Sequence, residues 1–239
     1  MQKNTICKTV RQYNKEPIPK ADMKKLQEIA DDYSKVKNYV YQRYGGIGAL
    51  SKLYPGYTIQ NEMTASGLRE QLELPSVYFY LAVFDAIKDI KGQWTKTKVK
   101  VLLHVSRNEG FTEKEKHYLR FLLKTDKAMD AILQYGIVIL PESLQKQYYS
   151  LLGKVDSKKL DQYLRRQIRW VHLKPHTGRA EGFSIGERAY RYADGGIYLS
   201  IKEKRKRIFV ALTDKNQYNR QLYVKLYPKQ HRIELKVPI

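Results

Sequence analysis

The segment "NTICKTVRQY" alternates in the β manner, with Thr5, Cys7 and Thr9 on one face and Ile6, Lys8 and Val10 on the other. It stands alone, because the next segments with that period lie beyond residue 180. A lone strand exposes a row of backbone donors and acceptors, so residues 4–13 must find their partner at the far end of the chain. That requirement predicts an α+β fold: a discontinuous, barrel-like β domain made of the first strand and the last ones, with a helical insertion between them.

The intervening sequence changes period. From Lys20, the residues Met23, Leu26, Ile29 or Ala30, Tyr33, Val36, Val40 and Tyr44 recur at steps of three and four, which predicts a long amphipathic helix ended by Gly45 and Gly46. Pro75 suits the first turn of a second long helix, with Tyr80, Leu81, Phe84, Ile87 and Trp94 on one stripe. Thr112 followed by Glu115 predicts a capping box opening a helix that carries Leu119, Leu122, Met129 and Ile132. Pro141 starts another short helix. A last one, "SKKLDQYLRRQIRWVHLK", turns Leu160, Leu164, Ile168 and Val171 inward and sets Lys158, Arg165, Arg169 and His172 on a different face, with Arg166 beside them, as a basic ridge.

After Pro175 the β period returns. Ile197, Leu199 and Ile201 alternate with Tyr198, Ser200 and Lys202; Leu222, Val224 and Leu226 with Tyr223, Lys225 and Tyr227; and Ile233, Leu235 and Val237 with Arg232, Glu234 and Lys236. One face is aliphatic and the other aromatic and basic. Between two of these runs lie Lys202, Glu203, Lys204, Arg205, Lys206 and Arg207, where a tight turn would favour Gly, Asn or Asp. The whole chain carries 45 Lys and Arg against 24 Asp and Glu, a formal net charge of +21, which points to a polyanionic partner. Lys and Arg gain affinity by neutralising phosphates, and tyrosine rings offer faces on which unstacked bases rest. On this reading Lys158, Arg165, Arg166, Arg169, Tyr198, Lys202, Lys204, Arg205, Lys206, Arg207, Tyr223, Lys225 and Tyr227 contact nucleic acid.

Chemistry of other kinds is scarce. The single cysteine, Cys7, excludes a disulfide framework and any multi-cysteine zinc site and points to a reducing intracellular setting. Asp31 with Asp32, Asp85 with Asp89, and Glu113 with Glu115 read as helix-face charges rather than a converging carboxylate cluster, and His172 with His176 as a histidine pair broken by Pro175. Gly45, Gly46 and Gly48 match no phosphate-loop pattern. No catalytic, cofactor-binding or metal-binding residue is expected in this chain, and no apolar run is long enough to span a membrane. "HRIELKVPI" stops on a strand pattern, as the front portion of a longer protein would.

The order strand, helices, strands resembles the amino-terminal half of the TnpB family of transposon-encoded RNA-guided nucleases and of the related type V CRISPR effectors. "NTICKTVRQY" is similar to a first wedge (WED) strand, "LPSVYFYLAVFDAIKDIKGQW" to helices of a recognition (REC) domain, and "GIYLSIKEKRKRIFVALT" with "LYVKLYPKQHRIELKVPI" to returning wedge strands. The resemblance implies a first WED-like strand in 1–18, a REC-like helical domain in 19–174 and the rest of a WED-like barrel in 175–239, with the RuvC nuclease domain and its divalent metal ions outside this chain. It implies a guide RNA and target double-stranded DNA as partners, in a bacterial cytoplasm at the nucleoid. It also implies that Ser76, Tyr78 and Tyr80 approach the target-flanking duplex and that Lys202, Lys204, Arg205, Lys206 and Arg207 hold RNA scaffold phosphates. Base pairing would then read sequence while protein reads backbone shape.

Two other readings stay open on sequence alone. One is a nuclease-free, RNA-guided DNA-binding repressor. The other is a guide-independent binder, either a transposase-type DNA-binding portion or a structured-RNA protein.

Overall fold

The computed structural model describes residues 8–53 and 56–238, so Thr5, Ile6 and Cys7 of the first alternating segment lie outside the described residues. Seven strands and eight α-helices follow in the order β1 (Thr9–Tyr13), α1 (Lys20–Tyr44), α2 (Tyr57–Thr64), α3 (Leu68–Gln71), α4 (Ser76–Arg107), α5 (Glu113–Lys124), α6 (Asp126–Leu133), α7 (Glu142–Leu152), α8 (Ser157–Val171), β2 (Gly182–Ile185), β3 (Tyr190–Ala193), β4 (Gly196–Ser200), β5 (Arg207–Ala211), β6 (Leu222–Tyr227) and β7 (Arg232–Pro238). The chain is α+β. It divides into two compact units, one within Met1–Tyr39, Gln60–Ala86 and Thr177–Ile239 and the other within Val40–Ile59 and Ile87–His176.

The first unit holds all the strands found among the described residues. β1 pairs antiparallel with β7, placing Val10 opposite Val237, so the strand nearest the start is completed by the one nearest the end. The sheet runs β1-β7-β6-β2, and Phe183, Ile185, Leu222, Val224, Leu226, Ile233, Leu235 and Val237 are buried on one of its faces. β3, β4 and β5 make a separate three-stranded antiparallel sheet that buries Ile197, Leu199, Ile208 and Val210. The expected single barrel is therefore not formed among the described residues: two open sheets meet at one isolated bridge, Asn14 to Leu212. Polar side chains fasten the junction. Gln12, fully buried, accepts from the Tyr192 hydroxyl at 2.6 Å and donates to the Asn216 carbonyl at 2.8 Å, so neither end of its amide is stranded.

Helices complete this unit. The α1 stripe is as the periodicity predicts, with Met23, Leu26, Ile29, Ala30, Tyr33 and Val36 all buried within it. The Oδ2 atom of Asp85 on α4 accepts from Tyr33 of α1 and Ser184 of β2, both at 2.6 Å, which ties two helices to the edge of the four-stranded sheet. Pro75 caps α4, its carbonyl accepting from the Tyr78 and Phe79 amides. The stripe expected on α4 is formed in part: Ile87 and Trp94 are buried as expected, but its first turns are out of phase. Phe84 is exposed and Tyr80 and Leu81 are half-buried, while Tyr78, Phe79, Ala82, Val83 and Ala86 carry the contact. The alanines mark the close approach, and a reading weighted toward large side chains passes over them.

The second unit is helical. α1 contributes Val40, Tyr41 and Tyr44 to its core and stops at Gly45, where a Cβ would lie 2.5 Å from the Tyr41 carbonyl oxygen. The Thr112 capping box is formed, with Glu115 N–H donating to Thr112 Oγ1 at 3.3 Å and Thr112 N–H donating to Glu115 Oε2 at 2.8 Å. The single helix expected after it is broken in two at Thr125, whose backbone is extended, although Leu119, Leu122, Met129 and Ile132 are all buried. On α8, Asp156 caps the first turn, and Leu160, Leu164 and Ile168 face inward. His172 does not belong to the basic ridge. It is buried, stacked on Trp94 at 3.9 Å, with Nδ1 2.9 Å from Thr97 Oγ1 and Nε2 2.9 Å from the Gly45 carbonyl.

Candidate nucleic-acid interface

Within the sheet-bearing unit, the end of α3, the start of α4, β3 and the β4–β5 link enclose a cleft of about 790 Å³. Hairpin chemistry shapes one wall. Asp194 and Gly195 both have positive φ (55° and 74°) between paired Ala193 and Gly196, the two-residue turn whose twist suits adjoining strands. Gly196 is required by packing as well, since a Cβ there would lie 2.7 Å from the Phe209 ring.

The opposite wall is the basic link, a turn closed by Lys206 N–H donating to the Glu203 carbonyl at 3.2 Å. Arg205 sits in this turn at φ 61°, in the left-handed region that favours glycine. Among the described residues, eight cationic side chains line the cleft (Arg69, Arg188, Arg191, Lys202, Lys204, Arg205, Lys206, Arg207) against Glu70, Glu73 and Glu203. Three of the eight are committed to carboxylates: Arg69 to Glu70, Lys206 to Glu203, and Lys202 to Asp32. Arg188, Arg191, Lys204, Arg205 and Arg207 have no carboxylate partner among the described residues, which leaves five cations around one concavity.

Lys202 is the correction within the link. It is partly buried and donates to the Asp32 carboxylate and, at 3.0 Å, to the Leu72 carbonyl, so it anchors the link to α1 and the α3–α4 connection rather than reaching outward. Burial alone would raise the Asp32 carboxyl, but the hydrogen bonds and charges of Lys202 and Lys35 outweigh it and hold its pKa below the ordinary value. Glu203, bridging Lys206 and Lys25, is likewise held low by its two ammonium partners.

Aromatic faces adjoin the cleft. Across the exposed face of the three-stranded sheet, Arg191 pairs with Tyr198 and Tyr198 with Phe209. The Arg191 guanidinium lies 5.3 Å from the Tyr198 ring centre, and the two rings are 4.9 Å apart. A backbone phosphate in the cleft and an unstacked base on this row satisfy complementary halves of one nucleotide. Arg69, Arg188, Arg191 and Phe209 were not singled out from the sequence. The Asp-Gly turn was the available signal, because it fixes the register that puts Arg191 beside Tyr198.

The remaining expected residues disperse. Ser76 is exposed on the rim of the cleft. Tyr78 is corrected: it is fully buried, edge-on to Phe183, and donates to the Ser200 carbonyl at 2.6 Å, which denies it any duplex. Tyr80 is half-buried with its hydroxyl 3.3 Å from Thr64 Oγ1. On the four-stranded sheet, Tyr223 is half-buried, while Lys225 lies 5.1 Å over Tyr227, whose hydroxyl donates to Glu234 at 2.8 Å. Lys158, Arg165, Arg166 and Arg169 lie on α8 in the other unit.

Among the described residues no group of three or more His, Cys, Asp or Glu side chains is placed to hold a metal ion, and no helix is long and apolar enough to cross a membrane. Comparison with protein-family models, with curated proteins and with solved structures finds no match.

Proposed function

We propose that the chain binds nucleic acid and that its sheet-bearing unit grips the phosphate backbone of a structured RNA. The observation that carries the reading is the set of five cations without carboxylate partners among the described residues, gathered around one cleft beside Tyr198 and Phe209. Cations held that close repel one another unless an anion lies between them. A chain of phosphates meets that requirement at several points at once and releases counterions as it does so. In the terms of the TnpB resemblance, the RNA is a guide scaffold, the chain is the recognition half of an RNA-guided endonuclease working at the bacterial nucleoid, and Ser76 is the side chain on the same rim available to a target-flanking duplex.

The test is the salt dependence of binding to a stem-loop RNA by the chain with Lys204, Arg205 and Arg207 all changed to Gln. Each lost phosphate contact lowers the slope of log K against log salt by about 0.7–0.9, so the triple variant loses about 2–3 units and weakens all RNA sequences alike. An unchanged slope removes the link from the interface. Guided binding is tested separately: a duplex DNA should be retained only when an RNA complementary to it is loaded, and equal retention without RNA would leave a guide-independent binder.

A further inference from the structure

A second site lies on the helical unit and shares no residue with the cleft of the sheet-bearing unit. Its floor is α8 and its wall Tyr135, two residues past the end of α6. A cleft of about 540 Å³ is lined by Tyr135, Gln162, Arg165, Arg166, Arg169 and Trp170, three guanidiniums and no carboxylate. The two aromatic side chains stand in solvent, Trp170 at 74% and Tyr135 at 69% exposure, where burial would ordinarily be expected of rings that size.

Both rings are held in place from behind. Trp170 rests against the imidazole of His104 on α4 at 5.8 Å, and His104 Nδ1 is 3.0 Å from Gln167 Oε1. Tyr135 follows the cap of α6 at φ 57°, a position that glycine fills without strain, and it is fixed there by bonds from its own amide to Ile132 and from the Gly136 amide to Ala131. Arg165 donates to the Ile132 carbonyl at 3.0 Å, and its guanidinium lies 4.3 Å from the Tyr135 ring centre. Arg169 reaches the Tyr135 hydroxyl at 3.4 Å. A strained tyrosine backed by two arginines and a braced, exposed tryptophan make a preformed stacking platform with anion donors at its edge.

We infer that this cleft takes an unpaired nucleotide of single-stranded RNA or DNA, its base stacked on Trp170 or Tyr135 and its phosphate on Arg166 or Arg169. Bases within a duplex cannot offer their faces to such a platform, so the site selects single strand over duplex. The inference shares the ligand class of the reading above and none of its residues, which lets the two fail independently.

Tryptophan emission reads the site directly, because the other tryptophan, Trp94, is buried. Oligouridine of about eight nucleotides should quench the emission of the full chain saturably, and a blunt RNA duplex of equal length should not. Trp170→Phe should abolish the change, and Trp170→Ala or Tyr135→Ala should each weaken oligouridine binding about tenfold with no loss of thermal stability. Arg166→Gln should lower the salt slope by about 0.7. The Lys204, Arg205 and Arg207 triple variant should quench like the parent. Quenching that survives an unchanged salt slope in that variant supports this site while removing the cleft. Absent quenching alongside a reduced slope overturns this site and leaves the cleft standing. Equal quenching by duplex, or an emission shift that tracks protein concentration without oligonucleotide, overturns the assignment in favour of general charge attraction or a protein interface.

Discussion

Arg205 separates a binding role from a structural one in a single substitution. Its φ of 61° imposes on a side chain with a Cβ a conformation that costs about 1–2 kcal/mol. Glycine removes that cost but gives the unfolded chain back about 0.5–1 kcal/mol of conformational freedom. Arg205 holds no carboxylate among the described residues, so no ion pair is lost with it. The balance leaves Arg205→Gly more stable by about 0.5 kcal/mol, which for a chain of this length raises Tm by about 1–2 °C. Binding moves the other way: one phosphate contact disappears and the salt slope for a stem-loop RNA falls by about 0.7–0.9. Arg205→Ala is the control, since it keeps the strain while removing the charge and should lose the slope without gaining stability. Thermal melts and filter binding at several salt concentrations measure both quantities. A lower Tm for Arg205→Gly together with an unchanged slope would show that the arginine serves the fold and would refute the argument from strain.

Lys202→Met should lower stability by about 2 kcal/mol in urea unfolding, because it strips the nearly buried Asp32 of one of its two ammonium partners, and should leave the RNA salt slope unmoved. His172 makes stability depend on pH: burial depresses its pKa below 6.5, so the folded state keeps it neutral while the unfolded chain takes up a proton. Its contribution is therefore full above pH 6.5 and is lost as pH falls from there through the folded value, and Tm measured across that window should fall more steeply for the parent than for His172→Gln.

What could be read from sequence depended on whether the deciding contact was local. α1 was legible along its length because its stripe is made of large apolar residues at regular steps, and the Thr112–Glu115 box because its two bonds lie within one turn. The edge argument paired the first strand with the end of the chain, since an unpaired strand is costly wherever it falls. Alternation tells the two faces of a strand apart, but it does not say which strands are neighbours, and so one barrel was expected where there are two sheets. The break at Thr125 was hidden because Leu122 and Met129, on either side of it, keep a seven-residue step. Lys202 and Lys204 are two positions apart in one charge run, yet one is anchored and the other is not. The difference is Asp32, which folding brings to Lys202 from another part of the chain.

Tyrosine hydroxyls serve several of the carboxylates. In a chain with 24 carboxylates, each buried one needs donors, and lysine or arginine would be the obvious supply. Tyrosine supplies donors at several sites whatever the acid's exposure: Tyr33 donates to half-buried Asp85, Tyr41 to exposed Asp89, Tyr118 to half-buried Asp161, Tyr198 to exposed Asp194 and Tyr227 to buried Glu234. A phenol donates without carrying a charge, although the two acids buried among the described residues also engage cations, Glu234 pairing with Arg11 at 3.3 Å and Asp32 with Lys35 and Lys202. The carboxylate in turn disfavours the phenolate, which raises the pKa of Tyr33 and Tyr118 beyond what burial does and keeps the donor protonated. This changes what the 20 tyrosines mean. Their number invites a reading as stacking faces, but a ring pinned through its hydroxyl inside the fold offers no face to a base. Two aromatic sets bear on that question: Tyr135, 69% exposed beside Trp170 and Arg165, and Tyr198, half-buried and bonded through its hydroxyl to exposed Asp194, with its ring beside Phe209 and Arg191. On the proposed reading, the placement of carboxylates, more than the tally of aromatics or of net charge, directs where a polyanion would bind.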